Sequence, residues 1–173
     1  MILYVVYYVK ERPFNVIQKV NIVYISLTGN TKDFIQQLDS YFTNKNINLC
    51  AKNIKDTVSS NQPFECINEP FATFLPSFLE GGNGIENGYK EILTTPLKEY
   101  LMFNDNYLLC YGIVGSGNRN FNKQFGLTAK QYSKYFGFPY IDEFELRGTF
   151  EDVKRIGEKL IRLQGIANMR KKG

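Results

Sequence analysis

Hydrophobic positions along the chain fall into short blocks that alternate between two spacings. Residues 20–25 (VNIVYI) form the mostly apolar run that a central parallel strand needs. Residues 30–42 then carry Phe34, Ile35, Leu38, Tyr41 and Phe42 at helical spacing, as a buried helix face would. Residues 47–51 read as a short second strand, residues 52–63 as a polar loop, and residues 71–75 (FATFL) as a third strand closed by Pro76. A helix is predicted from about Glu91 or Pro96 to Phe103, with Pro96 near its first turn. The most apolar strand is expected at 107–114, a helix at 123–136, a fifth strand at 140–146 and a last helix at 149–164. Strands alternating with helices predict an α/β fold, a five-stranded parallel sheet covered by helices on both faces. No repeat, low-complexity tract or linker divides residues 19–173, which read as one domain.

Residues 1–18 read as an extension to that domain. Its opening stretch, MILYVVYYV, is apolar but far shorter than the roughly 20 residues that span a bilayer. It has no basic segment before it and no small-residue cleavage site after it, so it does not resemble a secretory signal. An extra edge strand, a partner-binding arm and a start codon placed too far upstream all fit it.

The polar positions concentrate where strands end. Three Gly/Ser/Asn-rich loops follow strands one, three and four: residues 26–31 (SLTGNT), 76–84 (PSFLEGGNG) and 115–121 (GSGNRNF). The first can be read locally, as a strand-to-helix turn with its cap. It can also be read chemically, because the unpaired N–H groups and positive dipole end of a helix N-terminus cradle a phosphate. In a doubly wound sheet of order 2-1-3-4-5 the three loops leave the carboxyl edge side by side, at the switch point where ligands bind. Their convergence favours the chemical reading. The first loop has neither the GxGxxG spacing of a dinucleotide site nor the GK[ST] ending of a nucleoside-triphosphate loop. A monophosphate held by hydroxyls and backbone N–H groups fits better, with a flat ring lying between the other two loops. Phe78 or Phe121 is placed to stack on such a ring.

Composition narrows the chemistry further. The chain has 173 residues, 43% hydrophobic and 22% charged, and no histidine. That excludes Ser-His-Asp and Cys-His catalysis and most imidazole acid–base mechanisms. Cys50, Cys66 and Cys110 are widely spaced and odd in number, and are expected to be buried reduced thiols of a cytoplasmic protein. A net charge of +4 is too mild to imply nucleic acid, and no segment is long enough to imply a membrane span. Phe144 and Leu146 are expected in the core of the last strand, with Glu143, Glu145 and Arg147 alternating into solvent. Tyr132, Tyr135 and Phe136 are expected as core aromatics of the preceding helix.

SLTGNT resembles the phosphate loop of flavodoxins, [ST]-x-[ST]-G-x-T. Residues 115–121 (GSGNRNF) and 144–149 (FELRGT), the latter after Pro139 and Tyr140, resemble the NrdI proteins more specifically. Those are flavodoxin-like accessory proteins of class Ib ribonucleotide reductase, and the resemblance covers about residues 20–163. It implies a flavodoxin-like fold, FMN as cofactor, and a redox partner rather than a stand-alone metabolic enzyme. In that family reduced flavin reacts with O2. The superoxide formed passes to the dimanganese radical subunit, which assembles its Mn(III)2–tyrosyl radical. A flavin reductase or flavodoxin reductase is the implied electron donor. Carried onto this chain, Ser26, Thr28, Asn30 and Thr31 would hydrogen-bond the phosphate, with Gly29 permitting the turn and Leu27 also in the cofactor site. Pro76, Ser77 and Phe78 would flank the ring, and the backbone of Gly81, Gly82, Asn83 and Gly84 would contact its redox edge. Asn118, Asn120 and Phe121 would line the pyrimidine side, with Ser116 and Gly117 also in the cofactor site. The family's glycine run after strand three is interrupted here by Leu79 and Glu80, and residues 1–18 match nothing in it. A general flavodoxin passing single electrons is the alternative, and an FMN-free binding module of the same fold is a third. Electron shuttles are generally acidic, which lowers the potential of their anionic reduced flavin, so a mildly basic chain favours oxidant delivery.

Overall fold

A computed structural model describes residues 17–79 and 90–171. Five parallel strands form one sheet in the order β2-β1-β3-β4-β5: β1 (Lys19–Tyr24), β2 (Asn48–Asn53), β3 (Phe71–Pro76), β4 (Cys110–Gly117) and β5 (Tyr140–Glu145). The helices are α1 (Asn30–Thr43), α2 (Ile54–Ser59), α3 (Thr95–Met102), α4 (Leu127–Phe136) and α5 (Phe150–Lys171). The covering of both faces is that expected from the alternation of elements, and the strand order is the 2-1-3-4-5 of the expected doubly wound, flavodoxin-like sheet.

Alternation along β1 divides the core in two. Ile22 and Tyr24 face α1 and α5, packing with Phe34, Leu38, Phe42, Phe74, Phe144, Ile156 and Leu160. Val23 and Ile25 face the other way, toward Leu97 and Tyr100 of α3 and Ala129 and Tyr132 of α4. The central strand β3 is buried at all six positions, which explains its unbroken FATFLP run. Phe34 and Phe144 stack with ring centroids 3.8 Å apart and planes 11° from parallel.

Several expectations need correction. Residues 52–63 are not all loop, because α2 forms there, opened by the Asn53 side chain accepting the Lys55 N–H. The fourth strand is displaced from 107–114 to Cys110–Gly117, and residues 103–109 form a 3-10 turn instead. Of the cysteines, Cys110 alone is buried, and burial pushes its thiol up to about 12. Cys50 lies exposed on the edge strand β2 and Cys66 lies exposed in the segment before β3. Tyr132 is buried, but Tyr135 is 61% exposed and carries the Lys98 ammonium 4.2 Å from its ring centroid. Leu146 is not core: it lies beyond the end of β5 and is 44% exposed.

Residues 1–16 of the expected extension lie outside the described residues. Ile17 packs against the α1–α5 core, and the Gln18 carbonyl accepts the Asn48 N–H at 2.8 Å.

The last strand is tied to α5 by charge. Arg155 Nε and Lys159 Nζ donate to Asp142 at 2.9 and 2.8 Å. Burial alone would push the Asp142 carboxyl up, but these bonds outweigh it and hold the group below its ordinary 3.8. A carboxyl depressed in the folded state stabilises fully above its unfolded pKa and ceases to as pH falls through the folded value. Wild type should therefore lose more stability than Asp142→Asn between about pH 4 and pH 2. Thermal unfolding midpoints of both proteins across that window check this, and parallel acid limbs would refute it.

Candidate functional site

The carboxyl ends of β1, β3 and β4 meet around a cleft of about 300 Å³. β1 is paired to β2 on one side and β3 on the other, so the cleft opens at the switch point of the doubly wound sheet. Its polar lining comes from Thr28, Asn30, Thr31, Ser77, Ser116, Asn118 and Gln124, with the backbone of Gly117. Its apolar walls are Leu27, Pro76, Phe78, Leu79, Phe121, Phe125 and Leu146.

The first loop is built so that donors face the cleft. Gly29 is the N-cap of α1 at φ +95°, a conformation open to glycine, and has no side chain with which to cap the helix itself. Its carbonyl accepts the Asp33 N–H at 2.9 Å, while Ser26 Oγ accepts the Lys32 N–H at 3.1 Å. Helix geometry leaves the first-turn N–H groups of Asn30 and Thr31 without an intrahelical acceptor. From behind, Asn53 Oδ1 accepts the Ser26 N–H at 3.3 Å and Lys55 Nζ donates to the Leu27 carbonyl at 3.0 Å. Ser26 is therefore a buried brace of the loop rather than part of the cleft wall.

The second and third loops are fixed by the strands they leave. The Ser77 N–H donates to the Ser116 carbonyl at 2.9 Å, and Ser77 Oγ accepts the Thr128 N–H at 3.3 Å, pinning α4 to the end of β3. Thr31 Oγ1 and Ser116 Oγ are buried and 3.5 Å apart, longer than a good hydroxyl bond, so both keep donor capacity. Asn118 Oδ1 accepts the Asn120 N–H at 2.9 Å, opening the 3-10 turn Arg119–Gln124. Asn118 thus both lines the cleft and shapes the turn, whereas Asn120 is exposed and away from the lining. Behind the wall, a Cβ on Gly115 would come within 2.6 Å of the Tyr140 hydroxyl, so a side chain there would have to displace that hydroxyl from its bond to Glu143. Burial, and then its 2.6 Å bond to Glu143, push that hydroxyl's pKa up.

Of the residues expected at the site, Leu27, Thr28, Asn30, Thr31, Pro76, Ser77, Phe78, Ser116, Gly117, Asn118 and Phe121 line the cleft. Gly81, Gly82, Asn83 and Gly84 lie outside the described residues. Leu79, Gln124, Phe125 and Leu146 line it without having been anticipated. For Leu146 the Arg147-Gly148 pair after the strand was the available turn signal. Arg147 lies just beyond the rim, its Nε 3.1 Å from Asp33 and 3.4 Å from Asn30 Oδ1.

No described lining residue carries a titratable side chain, so among the described residues the lining offers no general acid, base or charged nucleophile. The described residues also contain no cluster of three or more His, Cys, Asp or Glu able to hold a metal, and no helix long and apolar enough to cross a membrane. What the described lining can do is bind, with neutral donors and apolar or aromatic walls contributed by all three loops.

Known proteins resemble the chain in both sequence and fold. It is 48% identical over 139 residues to an NrdI-like protein of Streptococcus pneumoniae, covering 79% of this chain and 89% of that one. It is 30% identical over 133 residues to protein NrdI of Bartonella tribocorum, covering 76% and 86%. Among solved structures, a short-chain flavodoxin associated with a PDU bacterial microcompartment aligns with TM-score 0.57 at 19% identity, over 87% of this chain and 99% of that one. The two-electron reduced flavodoxin of Megasphaera elsdenii aligns with TM-score 0.51 at 17% identity, over 83% and 98%. These likenesses carry the fold, and the sequence carries the family, whose NrdI flavodoxin-like signature matches residues 22–158. The chain belongs to the NrdI flavodoxin-like family.

Proposed function

We propose that this protein binds FMN in the cleft and serves as the redox accessory protein of a class Ib ribonucleotide reductase. The observation that carries the reading is the pairing of the α1 N-terminus, reached through Gly29, with uncharged donors and apolar walls in one cleft.

The residues present suit that cofactor. Thr28, the first-turn N–H groups of Asn30 and Thr31, and the Thr31 hydroxyl would hold a phosphate by neutral donors and the helix dipole. Lys55, bonded to the loop's own backbone, adds positive charge without occupying the cleft. Phe78, Phe121 and Phe125 would enclose a planar ring, with Leu27 and Pro76 completing the apolar surface. The volume lies at the lower end of the roughly 300–1,000 Å³ typical of small-molecule sites. When bound and reduced by a flavin or flavodoxin reductase, FMN would supply the electrons that convert O2 to the superoxide used at the dimanganese centre of the radical subunit. The protein's own part is to anchor the phosphate, orient the ring and present one edge of it to the partner.

The test loads the protein with FMN, reduces it, and mixes it with O2 and the manganese-loaded radical subunit. Tyrosyl radical measured by electron paramagnetic resonance should greatly exceed the yield from the subunit with free reduced FMN. Scavengers of superoxide in solution should suppress it only in part. A yield no higher than free reduced FMN gives would defeat the oxidant-delivery role and leave a one-electron shuttle as the better reading.

A further inference from the structure

Leu146 combines two features that are unfavourable in the protein on its own. Its φ is +49°, in the left-handed region that a leucine side chain disfavours. It is also 44% exposed, so its apolar side chain recovers little from packing. The backbone around it explains how the conformation is held. The Leu146 N–H donates to the Gly117 carbonyl at 2.9 Å, continuing the β4–β5 ladder by one step. The Gly148 N–H donates to the Glu145 carbonyl at 2.7 Å, so Leu146 is the second residue of a tight turn. A positive φ at that position is one that glycine ordinarily fills. Gly148, two residues on, already has positive φ, yet position 146 is leucine.

The side chain stands at a junction. Leu146 and Asn30 both line the cleft, and both also line the adjoining basin that contains Arg119, Arg147 and Asp152. Leu146 is therefore a partition between an uncharged cleft and a charged, open surface. Strain concentrated at such a position points to a ligand-dependent role.

We propose that Leu146 is a flavin-binding residue, held in a strained turn so that its side chain closes the open flank of the cleft against the bound ring. The inference rests on the FMN reading of the cleft and adds to it a residue from the β5–α5 turn. It also accounts for the alternation along β5 failing at its end. The left-handed residue turns position 146 out of the core-facing parity of Phe144 and toward the cleft.

The experiment compares wild type with Leu146→Gly, Leu146→Asn and Leu146→Met in two measurements: thermal unfolding of the FMN-free protein, and FMN affinity by fluorescence quenching. Glycine and asparagine accept positive φ and remove the apolar side chain. Both should unfold at or up to about 4 °C above the wild-type midpoint, because relief of strain offsets the greater freedom of the unfolded chain. Both should bind FMN about tenfold more weakly, through loss of the buried apolar contact. Leu146→Met keeps the strain and the bulk and should bind like wild type. An ordinary packing residue would lower stability and affinity together, and that result for Leu146→Gly would overturn the proposal. Unchanged FMN affinity in Leu146→Gly would overturn it too while leaving the FMN reading intact. Failure of wild type to bind FMN would overturn both.

Discussion

Thr28→Asp should weaken FMN binding by roughly 30- to 1,000-fold while leaving the FMN-free protein as stable as wild type or slightly more so. Thr28 lines the cleft and directly precedes the Gly29 N-cap, so a carboxylate there faces the place where the phosphate would sit. Two unit charges about 4 Å apart at an effective dielectric of 20 repel by about 4 kcal/mol. Thr28 is exposed, and Lys55 lies close enough to the loop to pair with the new carboxylate, which sets the lower end of the range. The same carboxylate beside a helix N-terminus stabilises the fold by roughly 0.3–1 kcal/mol. Binding and folding therefore move in opposite directions, and misfolding cannot imitate the result. Riboflavin, which lacks the phosphate, provides the internal control: its affinity should be the same for both proteins. FMN affinity unchanged by the substitution would remove the phosphate from this loop.

How much of this site was legible depends on whether local pattern or strand pairing decides each position. The first loop was legible because it lies between an apolar strand and a helix with a clear buried face, and its small residues have few other uses. The third loop was misplaced by one strand end. Gly115, Ser116 and Gly117 look like loop by composition, yet they are the last residues of β4, the first two paired to Leu75 and Pro76 on one side and all three to Glu143, Phe144 and Glu145 on the other. Pairing on both edges overrides the weak strand preference of glycine and serine. The apolar residues Tyr107, Leu108 and Leu109, which looked like strand, are diverted into a 3-10 turn after Asn104 and Asp105 adopt positive φ.

Two further misses have the same origin. The helix α2 is six residues long and mostly polar, too short for periodicity to register, and its start depends on a single Asn53 cap. Yet Asn53 and Lys55 are what brace the first loop from behind. Leu146 followed the alternation of β5 on paper but not in space, because the strand ends one residue earlier and a left-handed turn reverses the parity. Sequence pattern found the five strands and the longer helices, with β4 displaced by three residues and α2 missed. The direction of individual side chains at strand ends was set by pairing and turn geometry, which no local pattern encodes.

Gly148→Ala should destabilise the protein by about 2–5 kcal/mol, the sum of roughly 1–2 kcal/mol for a non-glycine residue in the left-handed region and 1–3 kcal/mol for overpacking. Gly148 has φ +68°, and a Cβ there would lie 2.5 and 2.6 Å from Cδ2 and Cε2 of Phe34. The Phe34 ring cannot retreat. It is fully buried, stacked on Phe144 at 3.8 Å, and next to Phe74 of β3 on the same face of the sheet, with ring centroids 6.1 Å apart. The turn cannot retreat either, because the Gly148 N–H and the neighbouring Leu146 N–H are both hydrogen-bonded to strand carbonyls. Gly137→Ala separates the two costs. Gly137 has φ +80° as the C-cap of α4, but a Cβ there would meet nothing within 4 Å, so that variant carries the backbone strain alone. At about 2–4 °C per kcal/mol for a chain of this size, Gly148→Ala should lower the midpoint by roughly 5–20 °C and Gly137→Ala by only a few degrees. Equal losses in the two variants would mean that Phe34 yields and that the α1–β5 contact is looser than its stacking geometry indicates.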